Sequence, residues 1–444
     1  MVCSHGLQAL VACAQYPRAL PAFLACVFSA FLVCVARLPN PKENFRMAQT
    51  DKVIIAGAGP VGLIGALYLA RRGVPVTVID ALPAPAEDLR ASTFHPPTLD
   101  MLEDLGLLEW MLPRGLKSPV FQHRDRPTGE VFSFDLGLLA GEVRNPYRLQ
   151  CEQWKMMRHI GELLAGMPGV ELCFNERAVH VAQAAHGVRL STETPIAIRH
   201  HEARWLIACD GANSIIRKWL GIEFEGLTYP EKFYCATTPH PFEENFENLS
   251  NVNYVADPDQ WFVLLRVPEL WRVLVPVADS IPDETIVSDA YTQAALQRIA
   301  ARPGDYPVRH RTIYRVHQRV AKRYRAGNVF LAGDAAHINN PLGGMGMNGG
   351  LHDVLNLAEK LLAVMAGAGP ELLDRYERQR RTVCYKYVQA QTMRNREDLA
   401  QKSGSAREKR LEEMRALLSS REATREFLIK NSMIASLRDA AAIE

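Results

Sequence analysis

Short apolar runs separated by glycine-rich turns set the pattern of this chain from residue 52 onward. Lys52–Ala56 is a strand-length apolar run, and Gly57-Ala58-Gly59-Pro60-Val61-Gly62 follows it, then a helical stretch through Arg72. Gly73 stops that helix, and Val74–Ile79 reads as a second buried strand ending in Asp80. Strand, turn, helix and strand in this order open a parallel, doubly wound sheet. Leu99, Leu102, Leu105 and Leu108 recur at helical spacing and predict a helix over Thr98–Met111. Apolar runs broken by Pro and Gly from Pro119 to Phe134 predict strands, and Gln150–Leu164 predicts a helix. Val170–Phe174, Ala178–Val181 and Val188–Leu190 predict antiparallel strands, and Arg204–Asp210 is another buried strand ending in an acid. Residues 225–283 are strand-like and rich in aromatic rings. Asn328–Ala332 returns to the buried-strand pattern, with a long helix from Met347 and charged amphipathic helices over 371–400 and 405–440. There is no internal repeat.

Composition changes this picture mainly at the amino end. The 444 residues are 48% apolar and carry a net charge of only +2, which excludes a disordered chain and argues against a nucleic-acid binder. Cys3, Cys13, Cys26 and Cys34 place four of the nine cysteines in residues 1–46, which also hold four basic residues and one acid. The remainder is therefore close to neutral, at −1. Ala19–Ala36 is an uncharged run of 18 residues, so residues 1–46 read as a membrane anchor, a cleaved signal, or a leader from a start codon placed too early, with Met47 as the true start. The third reading goes with a cytoplasmic protein, the first with a membrane-associated one. No Cys-x-x-Cys occurs, and no metal site is expected.

The candidate chemistry lies in three motifs. In the first, Gly57 permits a tight turn, Gly59 lets backbone approach a pyrophosphate, and Gly62 allows helix to pack on strand. Gly57, Gly59, Pro60, Val61 and Gly62 thus form a candidate dinucleotide turn at a helix N-terminus, with Asp80 placed to accept from an adenosine ribose. This motif alone does not separate FAD from NAD. The second runs from Gly333 and Asp334 to Gly350. A carboxylate at a strand end suits a ribityl or ribose hydroxyl, and Gly343 and Gly346 let backbone N–H groups approach a flat ring. A second dinucleotide contact so far along the chain favours the longer FAD. The third is Asp210-Gly211, a strand-to-helix turn whose weight comes from the other two.

Together these motifs resemble the single-component FAD-dependent aromatic hydroxylases, the p-hydroxybenzoate hydroxylase-like flavoprotein monooxygenases. The matching stretches are VIIAGAGPVGLIGALYLARRG at 53–73, WLIACDGANSIIRKWLGI at 205–222 and NVFLAGDAAHINNPLGGMGMNGGLHDVLNLAEKL at 328–361. The resemblance implies an α/β fold: a Rossmann-like FAD-binding domain with an inserted mixed or antiparallel β-sheet substrate domain and C-terminal helices. In those terms 47–120, 150–225 and 321–370 are cofactor-binding segments, 121–149 and 226–320 substrate-domain strands, and 371–444 C-terminal helices. It also implies that NADH or NADPH reduces the flavin, that O2 adds at its carbon 4a, and that the hydroperoxide hydroxylates a small aromatic or heteroaromatic ring. Arg90 and Gln150 would lie beside FAD, and Asp334 would hold the ribityl chain. Asp210 and Gly211 would serve both FAD and the nicotinamide. Met347 and Asn348 would offer N–H groups to the ring, and Pro341 would turn its carbonyl to the substrate.

Asn339 and Asn340 depart from the family's loop, which has a Pro near them. Arg266, His240, Tyr234 and Tyr254 are candidates for binding a carboxylate or taking a phenolic proton, while His337 reads as structural and His95 as a lone histidine. No catalytic base is assigned. The Trp-x-Trp-x-Ile-Pro signature of flavin halogenases is absent. A membrane-associated quinone-precursor hydroxylase and a non-catalytic FAD-binding regulator remain as alternatives, and a homodimer through the C-terminal helices stays open.

Overall fold

The computed structural model describes residues 51–87, 91–401 and 404–444, all within the unit Gln49–Glu444. Residues 1–46, with the readings given them above, and Arg90 lie outside the described residues. Among those described, no helix is long and apolar enough to cross a membrane.

Val53–Ala56 is buried at every position, as a strand flanked on both faces must be. It pairs in parallel with Val76–Ile79 on one side and Trp205–Ala208 on the other. Val170–Cys173 and Val329–Leu331 extend this sheet in parallel, and Arg325–Ala326 closes it as a sixth, antiparallel strand. The helix Pro60–Ala70 covers one face and packs against the helix Met345–Met365. Their approach is close at Gly65, where a Cβ would stand 2.4 Å from Val354 Cγ2.

The second sheet has eight strands and is antiparallel except where Val252–Ala256 runs parallel to Val120–Asp125. Successive residues point to opposite faces, so the sheet has two cores. Phe233, Tyr254, Trp261 and Leu274 pack with Leu342 and with Leu399, Leu411 and Leu428 of the C-terminal helices. Tyr234, Phe262 and Val273 pack on the other face with Leu296 and Ile299 of the helix Asp289–Ile299. Three short strands, Thr93–Phe94, Arg148–Gln150 and Leu116–Ser118, form a small separate sheet.

Two helical expectations are corrected. The stretch Thr98–Met111 is two helices, Pro96–Asp104 and Leu108–Met111, because Gly106 adopts a φ of +59° between them. The charged helical stretch expected over 405–440 is divided into three helices: Gly404–Ser419, Arg421–Asn431 and Ile434–Ala442. Ser420 caps the second by accepting from the Ala423 N–H, and Met433 turns the chain into the third with a φ of +70°. Ion pairs hold these helices on the sheet, among them Arg407 with Asp125, Arg415 with Glu130, and Arg425 and Arg438 with Glu142.

Candidate cofactor and substrate site

The glycine turn is built from backbone contacts that no side chain tolerates. Gly57 has a φ of +107°, and a Cβ there would lie 2.3 Å from the Cys209 carbonyl oxygen. A Cβ on Gly62 would lie 1.9 Å from the Gly57 oxygen, whereas around Gly59 nothing stands within 4 Å. Pro60 occupies the first turn of the helix, where its missing N–H costs nothing. Asp80 holds the turn, accepting from the Ala58 N–H at 2.6 Å and the Leu82 N–H at 2.8 Å.

Val61 joins this turn to the second motif. A Cβ on Gly333 would stand 2.8 Å from Val61 Cγ2, and one on Gly350 would stand 2.7 Å from the same atom. Two motifs some 270 residues apart in the chain therefore meet across one valine side chain. Asp334 is exposed at the strand end. The third motif is tied in by Arg217, whose Nη1 donates to the Ala335 carbonyl at 2.8 Å and Nη2 to the Ala212 carbonyl at 2.7 Å. Gly211 has a φ of +80°. Burial pushes the Asp210 carboxyl up; Oδ2 accepts from the Ile216 N–H at 3.3 Å, and Oδ1 is buried without a partner among the described residues.

Beneath the second motif lies a buried ionic cluster that sequence reading missed. Asp353 bonds His337 Nε2 at 2.7 Å and Arg380 Nε at 2.6 Å, and Arg380 Nη2 also reaches the Gly349 carbonyl at 3.3 Å. Burial opposes the Asp353 charge, but His337 and Arg380 hold its carboxyl down at about 2. Burial likewise opposes charge on His337, and Cys384 and Asp353 outweigh it, holding the imidazole well above its ordinary value. The structural reading of His337 agrees with this position.

The loop after the second motif turns through Gly343 (φ +101°) and Gly344 (φ +67°) into the helix Met345–Met365. Asn348 fastens it: Oδ1 accepts from the His95 N–H at 3.0 Å, and Nδ2 donates to the carbonyls of Thr93 at 2.8 Å and Gly344 at 2.7 Å. His95 Nε2 bonds the Gly343 carbonyl at 2.7 Å, and burial, aided by Arg148, pushes this imidazole down to about 3. Pro341 is exposed, while Gly346 and Met347 are half-buried. Gln150 is fully buried and accepts from Thr93 Oγ1 at 2.9 Å, but its Nε2 has no partner among the described residues. The departure at Asn340 has a use. Its Nδ2 donates to the Thr392 carbonyl at 2.9 Å and its Oδ1 accepts from the Leu342 N–H at 3.1 Å, strapping the loop to a C-terminal helix. The open Gly59 turn and the buried, unmatched Gln150 Nε2 and Asp210 Oδ1 fit a long polar cofactor such as FAD.

The sheet face beside this loop carries a polar group of its own. Arg148, His123, Tyr254 and Arg410 are all buried there, walled by Phe121 and Phe134, whose rings stack at 5.0 Å. Of the four groups expected to bind a carboxylate or take a proton, only Tyr254 lies on this face. Tyr234 bonds Thr292 Oγ1 at 2.6 Å on the opposite face, His240 bonds Asn245 Oδ1 at 2.7 Å, and Arg266 pairs with Glu243. Elsewhere, Cys173, Glu176 and His201 bring ligand-type atoms within 4.8 Å of one another. The Glu176 oxygens there are already held by Arg199, His201 and Thr192.

The profile of a family described as FAD binding domain matches residues 50–391. The chain is 35% identical over 352 residues to a para-nitrophenol 4-monooxygenase of Pseudomonas sp. (strain WBC-3), covering 77% of this chain and 85% of that one. It is also 35% identical over 341 residues to a 6-hydroxy-3-succinoylpyridine 3-monooxygenase of Pseudomonas putida, covering 76% and 85%. The crystal structure of a p-nitrophenol 4-monooxygenase from Pseudomonas putida superposes with a TM-score of 0.81 at 32% identity, covering 86% of this chain and 98% of that one.

Proposed function

The chain belongs to the FAD binding domain family and is an FAD-dependent aromatic hydroxylase, and from this premise we propose that it inserts one oxygen atom of O2 into a small aromatic or heteroaromatic substrate with NADH or NADPH as reductant. The observation that carries the reading is the meeting of the glycine turn and the second motif across Val61, next to a sheet face lined by aromatic rings. That arrangement suits one extended cofactor whose reactive ring ends beside a dry pocket.

In this reading the turn Gly57–Gly62 and the helix after it receive the pyrophosphate through backbone N–H groups and the helix dipole. Asp80 orders the turn and serves the adenosine ribose, Asp334 serves the ribityl chain, and the unmatched Gln150 amide and Asp210 carboxyl oxygen find partners on the cofactor. The segment Gly343–Asn348 cradles the ring, with Asn348 and His95 holding the loop in shape. Bound FAD supplies the redox and oxygen-activating chemistry. The protein's share is to bind, orient and exclude water, and the covered face of the eight-stranded sheet does the last of these. Pro341 borders the substrate side.

The test is NAD(P)H oxidation by the purified, FAD-loaded protein across a panel of phenols, anilines and hydroxypyridines. At least one compound is expected to accelerate oxidation and to yield hydroxylated product in step with it. Absence of any stimulation across the panel contradicts the reading.

A further inference from the structure

Two buried guanidinium groups packed against the loop-side face of the eight-stranded sheet carry donors that have no acceptor among the described residues. Arg148 is 3% exposed, and its Nε and Nη1 have no partner among the described residues. Its guanidinium carbon lies 4.3 Å over the Phe121 ring, and the Tyr254 hydroxyl stands close enough to act on its charge. Arg410 is 6% exposed; its Nε is likewise unmatched, and its Nη2 donates to His123 Nδ1 at 3.4 Å. His123 stacks on Tyr254 with ring centroids 5.1 Å apart, so the two arginines flank one pair of rings.

Nearby carboxylates do not balance them. Asp125, one of two acids acting on Arg410, is engaged by Arg407 through Nε at 2.8 Å. The other, Asp398, acts on Arg410 through space and makes no ion pair or hydrogen bond with it among the described residues. Among the described residues no carboxylate acts on Arg148, and burial pushes both guanidinium groups down. A buried cation with unmatched donors is costly, and its natural complement is an anion that accepts several N–H bonds at once.

We propose that Arg148 and Arg410 form an anion-receiving subsite for an ionised oxygen group, phenolate or carboxylate, carried by the aromatic substrate, and that Arg410 is a specificity-determining residue supplied by the C-terminal helix. The subsite rests on the hydroxylase reading above. Arg410 lies on the helix Gly404–Ser419, beyond residue 391 where the family match ends.

The experiment titrates the full-length FAD-loaded protein with two matched pairs, benzoate against benzamide and 4-nitrophenolate against 4-nitroanisole. Binding is followed by quenching of tryptophan fluorescence, since Trp261 is buried on the same face. The wild type is expected to prefer one anion over its neutral partner by about tenfold or more, the size of a charge-assisted contact. Arg410→Gln is expected to erase that preference with neutral binding and FAD content unchanged, and Arg410→Lys to retain part of it. The pair showing the preference tells carboxylate from phenolate. Equal binding of both pairs by the wild type overturns the proposal, as does an undiminished preference in Arg410→Gln or a loss of FAD and both ligands together. An Arg410-dependent preference in a protein that no panel compound stimulates keeps the subsite and removes the hydroxylase reading.

Discussion

The two halves of the proposed site are made by different means. The cofactor side is a backbone construction: Gly57, Gly62, Gly333 and Gly350 stand where a Cβ would lie under 3 Å from a carbonyl oxygen, a Cα or a valine methyl. The substrate side is a side-chain construction, with His123, Arg148, Tyr254 and Arg410 drawn from four segments and meeting only in the folded chain. A backbone requirement admits one residue type and so leaves a mark in the sequence. A side-chain requirement is met by many residues at many positions and leaves little.

The buried cluster under the second motif holds the backbone of Gly333 and Gly349 on the cofactor side, and its loss is expected to have the largest effect. Asp353→Asn strands Arg380 and His337 in the interior, and unfolding should become easier by roughly 3–5 kcal/mol, measurable by denaturant titration. The pH dependence has a definite sign. Asp353 sits at about 2 when folded, below the ordinary value of about 3.9, so its contribution is complete at neutral pH and lost as pH falls from about 4 toward 2. His337 is raised when folded, so its contribution is complete below its ordinary value of about 6.5 and lost as pH rises through the raised value. Melting temperature against pH should therefore fall off on both sides in the wild type and be flatter in Asp353→Asn.

A change confined to the cofactor side separates the halves. Gly62→Ala sets a methyl 1.9 Å from the Gly57 oxygen, at a cost of about 3 kcal/mol, and should abolish FAD retention in gel filtration. If this variant keeps its yellow colour, the contrast between backbone-made and side-chain-made halves fails. Asn340→Ala acts where the halves adjoin. It removes the bonds to Thr392 and Leu342, costs about 1–3 kcal/mol, and should raise the hydrogen peroxide formed per NAD(P)H while leaving FAD bound. The smallest effect belongs to the rim: Arg415→Ala breaks an exposed pair with Glu130 and should leave melting temperature and FAD content unchanged.

The same contrast explains what was legible. The glycine turn, Asp80, the second motif and the long helix after it follow from apolar runs and glycine placement. Asn348 stood in the sequence as a backbone donor to the ring, yet two of its three side-chain bonds, to Thr93 and His95, reach a segment some 250 residues away. Asp353 lies inside a helix and reads as an ordinary surface acid until Arg380 folds over it. Arg410 sits in a helix so rich in charge that nothing marks its buried face. Tyr234 and Tyr254 look alike as aromatic residues in strands, and only strand parity and register send one to each face.

Hydroxylation under oxygen-18 gas tests the central claim most directly. A stimulating aromatic compound, NADH or NADPH and the FAD-loaded protein should give product carrying one oxygen-18 atom per molecule, in step with reductant consumed. Product labelled from water, or reductant consumed with hydrogen peroxide as the only outcome for every compound tried, would contradict it.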